Sequence, residues 1–278
     1  MLKILKEYRI MRYKAVVSDL DGTLLNSEHK FSEKTKNIVK KVKNTERKIF
    51  IATGRHHLDA FKLKEQLNLD SYLISSNGAR IHDENNRLVY EKNIDIDIVE
   101  IILSKKCSKE VSRHIYTEDH WYVEEEREEF NAYHQESGFY YTIEDFEKIK
   151  RDKIVKIFFI SSNFEELLQL EKDLEKELGD RASITLSGDE CLELMASNVS
   201  KGEAIKNVMS RLNIPLEEVI AFGDGLNDYE MLSEVGKGLV MGNAAERLKE
   251  KLPNNEIIET NIEDGVANYL ESKLLEIE

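Results

Sequence analysis

Asp19 and Asp21 stand two residues apart at the end of the apolar run Ala15-Val16-Val17, so strand alternation points both carboxylates to one face. Gly22 permits a sharp turn, and Thr23 offers a hydroxyl and an N–H at it. Two carboxylates this close repel one another, and one must take up a proton unless a cation joins them. Asp224, arriving from another strand end, adds to the crowding. Three converging acids with no thiol or imidazole among them select a hard, oxygen-seeking cation, magnesium before zinc. Ser200 and Glu203 read as a capping box that starts a helix at Lys201. A helix start favours an anion through its free N–H groups and its dipole, and Lys201 adds a full charge there. The same signature recurs at Asn227 and Glu230, with Asn227 as the expected cap after the Asp224 turn. Thr53-Gly54 can give a hydroxyl and an N–H to the same anion. Such an assembly suits phosphoryl transfer, which is catalysed mainly by positioning and by neutralising charge.

These residues need a frame that brings distant strand ends together. Ala15-Val16-Val17, Ile49-Phe50-Ile51-Ala52 and Val219-Ile220-Ala221-Phe222 are unbroken apolar runs, each ending in a polar, glycine-containing cluster. Runs without alternation suit strands buried on both faces of a parallel sheet. Helical patterns separate them, from Ser32 to Lys43, His57 to Leu67, Gly202 to Leu212 and Asn227 to Val235. That alternation predicts an α/β fold with a doubly wound parallel sheet, whose ligands bind at the carboxyl ends of the strands. The stretch between reads as a second, α+β unit, with helices over Ile98 to Lys106 and Phe164 to Leu178 and strands over Lys153 to Ile160 and Ala182 to Leu186. The expected division is a discontinuous core over residues 1–88 and 189–278, with an inserted cap over residues 89–188.

Composition narrows the classes of function. A chain of 278 residues with 41% hydrophobic and 34% charged residues suits a globular enzyme. Its net charge of −14 argues against a nucleic-acid partner, which calls for a basic face. No apolar run reaches the length of about 20 residues that spans a bilayer, and residues 1–7 carry no secretory pattern. The expectation is a cytoplasmic protein with no membrane partner. Cys107 and Cys191 form no C-x-x-C pair and read as two reduced thiols.

The run Asp19-Leu20-Asp21-Gly22-Thr23-Leu24, with Thr53, Lys201 and Gly223-Asp224-Gly225-Leu226-Asn227-Asp228, resembles the four motifs of the haloacid dehalogenase (HAD) superfamily. Ser76-Asn77-Gly78-Ala79, Val199-Ser200-Lys201-Gly202, Met241-Gly242-Asn243-Ala244 and Glu263-Asp264-Gly265-Val266-Ala267 are similar in order and spacing to its Cof-like phosphatase subgroup, subfamily IIB. The resemblance implies a HAD-like, Rossmannoid core and a phosphatase acting on small phosphorylated metabolites, sugar phosphates or similar. It implies Asp19 as nucleophile, forming an aspartyl-phosphate, and Asp21 as proton donor and acceptor. It implies a Mg2+ cofactor held by the side chains of Asp19 and Asp224 and the backbone carbonyl of Asp21. Thr53, Gly54, Lys201 and Asn227 would hold phosphate or substrate, with Asp228 orienting Lys201 or a metal-bound water. Two alternatives are a phosphosugar mutase of the same superfamily and a catalytically inactive binding protein on the fold. The latter predicts loss of Asp19, Asp21, Lys201 or Asp224, and all four are present.

The remaining features read more plainly. Residues 1–10 precede the usual start of the first strand, as a short helix or upstream of an initiator at Met11. His56-His57 are expected on a helix surface, and His114, His120 and His134 in a structural or substrate-facing role rather than as zinc ligands. Glu124 to Glu129 reads as a solvated helix face. Trp121 and Tyr122 are the expected cap residues for packing on a substrate ring.

Overall fold

A computed structural model describes residues 13–126 and 137–275. Residues 1–10 with Met11, His134 and the 127–129 part of the acidic run lie outside the described residues.

The apolar runs fold as expected. Strands β1 (Ala15–Ser18), β2 (Lys48–Ala52) and β3 (Leu73–Ser75) follow one another, and β4 (Arg80–His82) and β5 (Leu88–Glu91) add an antiparallel edge. Later in the chain come β12 (Val219–Gly223), β13 (Lys237–Val240) and β14 (Glu256–Ile257). The eight form one sheet in the order β14-β13-β12-β1-β2-β3-β4-β5. From β14 to β3 every pairing is parallel. Val16 and Val17 are buried beside Ile49, Phe50, Ile220 and Ala221, which is why these strands lack alternation.

Helices close the crossovers. Ser32 caps α1 (Glu33–Lys43) by accepting from the Thr35 N–H, and α2 (His57–Gln66) follows β2. Ser200 caps α5 (Lys201–Leu212), accepting from the Glu203 N–H at 3.2 Å. Glu203 does not complete the reciprocal bond; it pairs with Lys206 instead. The chain then adds α6 (Tyr229–Glu234), α7 (Glu246–Lys251) and α8 (Gly265–Leu270). Helix α1 packs on α8, and α5 on α6. From β1 the chain winds outward through β2 and β3 on one side, and through β12, β13 and β14 on the other. The change of direction lies between β1 and β12, where an open α/β sheet leaves a crevice.

The middle of the chain builds a second sheet. Strands β6 (Ser112–Tyr116), β7 (Trp121–Val123), β8 (Thr142–Ile143), β9 (Lys156–Ile160), β10 (Ala182–Gly188) and β11 (Cys191–Ala196) pair in the order β10-β11-β9-β6-β7-β8. Helices α3 (Ile96–Ser104) and α4 (Phe164–Leu178) pack their apolar faces on it, through residues such as Ile98, Ile102, Leu167 and Leu174. The edges expected at 89 and 188 fall inside β5 and in the β10–β11 hairpin. Tyr90 pairs with Ile81 on the first sheet and Leu194 with Ile157 on the second, so the change of sheet comes after Glu91 and after Ala196. Glu124, Glu125 and Glu126 are exposed but not helical, since β7 ends at Val123. Cys107 and Cys191 are free thiols. Among the described residues no helix is long and apolar enough to cross a membrane.

Candidate active site

The carboxyl ends of β1, β2 and β12 meet, and the acidic residues meet with them. Asp19 is buried just past β1, where its N–H donates to the Phe222 carbonyl at 3.1 Å. One of its carboxylate oxygens accepts from the Leu20 N–H at 2.7 Å, and the other lies 2.8 Å from the Lys201 ammonium. Lys201 is 0% exposed, so it is no surface lysine; its second partner is Asp228 at 2.7 Å. The other oxygen of Asp228 accepts from the N–H groups of Asp224 and Gly225, at 2.9 and 3.0 Å. Thr23 donates its hydroxyl to Asp224 at 2.6 Å, and Asn243 donates to the Gly22 carbonyl at 2.7 Å. Gly22 sits at φ +69°, and a Cβ there would lie 2.2 Å from an Asp224 oxygen. Both the turn and the approach of Asp224 require its missing side chain.

Asp19, Asp224 and Asp228 present carboxylate oxygens within 4.8 Å of one another. Burial pushes the Asp19 carboxyl well above the usual range, with Lys201 opposing and Asp228 and Asp224 adding to the rise. Burial and the Asp228 charge push Asp224 up to about 7. Burial alone would lower the Lys201 ammonium, but Asp19 and Asp228 outweigh it and raise it. An all-oxygen donor set that resists holding its own charge fits a small hard dication.

Asp21 lies apart from that cluster. Arg55 grips it with two bonds of 2.6 and 2.5 Å, and His29 sits 3.2 Å away. Partial burial works to raise the Asp21 carboxyl, but Arg55 outweighs it and, with His29, holds it well below the carboxylate range. Arg55 also reaches buried Asp59 at 3.0 Å. Thr53 is buried, its hydroxyl accepting from the Arg55 N–H at 3.1 Å. The Gly54 carbonyl accepts from Lys156 at 2.6 Å. Asn227 does not cap a helix: Leu226–Asp228 forms a single 3-10 turn, and the Asp228 carboxylate caps it at the Gly225 N–H. Asn227 instead donates its side-chain amide to Asn77 at 3.0 Å.

A cavity of about 590 Å3 opens from Asp19, Asp21, Gly54, Arg55 and Asn227 toward the second sheet. Its far wall carries Tyr116, Trp121 and Phe158, with Lys156 and Glu193 beside them. Tyr122 is not on that wall. Neighbours on a strand face opposite ways, so it lies against the other side of the sheet, stacked on His120. The residues that sequence reasoning missed are Arg55, Asn77, Lys156 and Glu193. Arg55 directly follows Thr53-Gly54, and Asn77 lies in the quoted Ser76-Asn77-Gly78-Ala79, so for these two a signal was present.

His56 and His57 are buried, contrary to the surface role expected at a helix start. Thr117 and Phe139 of the second unit cover them: His56 is 2.9 Å from the Thr117 carbonyl and stacked on Phe139. His57 stacks on His56 at 4.4 Å and on His82 at 4.8 Å. His114 is likewise packed, accepting from the Trp121 indole at 3.0 Å. Burial, reinforced by His57, lowers His56 to about 3 and His82 to about 4, and burial lowers His57. The unfolded chain therefore binds protons below about pH 6.5 that the folded chain refuses. Stability contributed by these groups is present above that pH and is lost as pH falls from 6.5 toward 4. Each histidine adds a slope of up to about 1.4 kcal/mol per pH unit. Asp19 and Asp224, whose carboxyls are raised, contribute the opposite slope in this window, so the histidine part is read by difference. The urea midpoint should fall less from pH 6.5 to 4 in a His82→Gln variant than in the parent, and equal pH dependence would contradict the buried neutral stack.

The model of the haloacid dehalogenase-like hydrolases matches residues 16–270. The chain belongs to this family, in its Cof-like subgroup. A chain of Buchnera aphidicola subsp. Baizongia pistaciae is 39% identical over 260 residues, 93% of this chain and 97% of its own length. A Yersinia pestis (strain Pestoides F) protein named HMP-PP phosphatase is 34% identical over 258 residues, covering 93% and 94%. The solved structure of a haloacid dehalogenase-like hydrolase from B. subtilis superposes with a TM-score of 0.82 at 32% identity, covering 93% of this chain and 99% of that one. The matched residues 16–270 take in the strands of both sheets.

Proposed function

We propose that this HAD-family hydrolase is a magnesium-dependent phosphatase of small phosphorylated metabolites, working through an aspartyl-phosphate at Asp19. What carries the reading is one arrangement: Asp19 borders the cavity with one oxygen on Lys201, at the edge of an acidic cluster, while Asp21 stands nearby on a separate partner.

The side chains of Asp19 and Asp224 and the main-chain carbonyl of Asp21 would hold the cation. Magnesium, when bound, supplies the positive charge that lets Asp19 and Asp224 stay ionised together and offsets charge on the phosphoryl oxygens. Lys201 lies against Asp19 and contributes a fixed charge, and Asp228 fixes Lys201 in place. In the first step an Asp19 oxygen bonds to phosphorus as the ester P–O bond breaks, and the departing alkoxide takes a proton from Asp21. In the second, Asp21 takes a proton from water, the resulting hydroxide bonds to phosphorus, and the Asp19–phosphorus bond breaks. Arg55 keeps Asp21 ionised, so the acid role requires that an arriving phosphoryl dianion draw the guanidinium away. Thr53, Gly54, Lys201 and Asn227 surround the place for phosphate and its substituent. The unit on the second sheet serves as a cap that excludes water and presents Trp121 to the leaving group.

Hydrolysis of 4-nitrophenyl phosphate should appear with added magnesium and stop with excess chelator, and undiminished turnover in metal-free buffer would sink the reading. Release of phosphate across a panel of sugar phosphates, nucleotides and HMP-PP, the last prompted by the Yersinia relative's name, then ranks substrates.

A further inference from the structure

Lys156, at the start of β9, and Glu193, in β11, form an ion pair whose side chains are only 3% and 4% exposed. The Lys156 ammonium also donates to the Gly54 carbonyl at 2.6 Å and stands 4.8 and 4.7 Å from the ring centres of Tyr116 and Phe158. The second oxygen of Glu193 accepts from the Asn77 amide nitrogen at 2.7 Å. The Asn77 oxygen in turn accepts from the Asn227 nitrogen at 3.0 Å. A chain of contacts thus leads from the second sheet, through the turn after β3, to the loop that carries Asp224. Gly54 makes room for it, since a Cβ there would lie 3.1 Å from the Asn77 oxygen and 3.3 Å from Glu193.

The direction of the chain is set at its head. A carboxylate only accepts, so Asn77 must turn its nitrogen to Glu193 and its oxygen to Asn227. One of the two N–H donors on the Asn227 nitrogen is then committed to Asn77, and the Asn227 oxygen is buried with no partner. The ion pair itself has little to offer a ligand, although it borders the cavity. Two of the three Lys156 donors are used and the aromatic faces lie over the rest, while both Glu193 oxygens are bonded.

We propose that Lys156 and Glu193 are positioning residues: they hold Gly54 and, through Asn77, fix which way the Asn227 amide faces beside the cavity. The identity of the substrate as a phosphate ester rests on the reading above. The positioning does not.

Glu193→Gln keeps the shape but adds a donor that can turn Asn77 over, and with it Asn227. In 15N-labelled protein the side-chain amide signals of both asparagines should shift in this variant and exchange faster with solvent. The kcat for 4-nitrophenyl phosphate should fall by up to about 100-fold, as for a misplaced group. Lys156→Met leaves Glu193 buried and unpaired, whereas the double variant Lys156→Met/Glu193→Gln leaves no lone charge. The double variant should therefore melt higher than Lys156→Met and show the same amide shifts, which carries the test if the single variant unfolds. Unchanged Asn227 amide signals in a folded Glu193→Gln or double variant would overturn the proposal. If the signals move while the unsubstituted enzyme hydrolyses no phosphate ester, the positioning stands and the phosphatase reading falls.

Discussion

Asp19→Ala is expected to abolish turnover, with a loss on the order of 10⁶-fold, as when a nucleophile is removed from another covalent hydrolase. The argument is geometric before it is chemical. Asp19 is held at the end of β1 by the Phe222 carbonyl and by its own bond from the Leu20 N–H. It borders the cavity, whereas Lys201 and Asp228 are wholly buried behind it and Asp21 is engaged by Arg55. No neighbouring carboxylate is placed to take over the attack. Asp19→Asn preserves the shape and the bond from the Leu20 N–H, giving up the Lys201 contact, and should fail equally, which separates loss of the nucleophile from loss of packing. Circular dichroism on both variants checks the fold, and phosphate release from 4-nitrophenyl phosphate reads the activity. Residual activity within tenfold of the unsubstituted enzyme in either variant would place the chemistry elsewhere.

Lys201→Met is expected to weaken the protein and the reaction together. The ammonium lies between Asp19 and Asp228, and its removal leaves two buried carboxylates unpaired beside Asp224. Breaking a buried pair in this way costs about 3–5 kcal/mol, which a shift of the urea midpoint would register. In the proposed mechanism the charge also acts on the phosphoryl group, where a charge-assisted contact is worth about 1.5–3 kcal/mol, or roughly 10–150-fold in kcat/KM. Added magnesium should recover part of the stability, because it replaces some of the missing charge, but not the full rate. A variant as stable and active as the parent would mean that Lys201 neutralises nothing in the site.

The parts of the site that were legible in the sequence are those that local rules determine. An unbroken apolar run ending in a glycine turn fixes a buried parallel strand and the position of the acid after it, so Asp19 and Asp224 could be placed from a few neighbours each. Ser200 likewise marked the helix start that presents Lys201. What stayed hidden depends on which side chains meet across the fold. Asp21 and Arg55 are 34 residues apart, and Lys156 and Glu193 are 37 apart. No spacing rule selects such partners from 94 charged residues. His56 and His57 carry a helix-start pattern and are buried only because Thr117 and Phe139 come down on them from the second sheet. Trp121 and Tyr122 were equal candidates until the register of β7 put one on the cavity side and the other behind it. Asn227 does not cap because the helical turn begins one residue earlier, at Leu226, and encloses it, while its amide nitrogen reaches Asn77, 150 residues away.

Trapping of the covalent intermediate tests the central claim most directly. Enzyme quenched during turnover of a phosphate ester and reduced with borohydride should carry homoserine at position 19, and only when substrate and magnesium are both present. Active turnover with no modification, or with the modification at any other residue, would contradict Asp19 as the nucleophile.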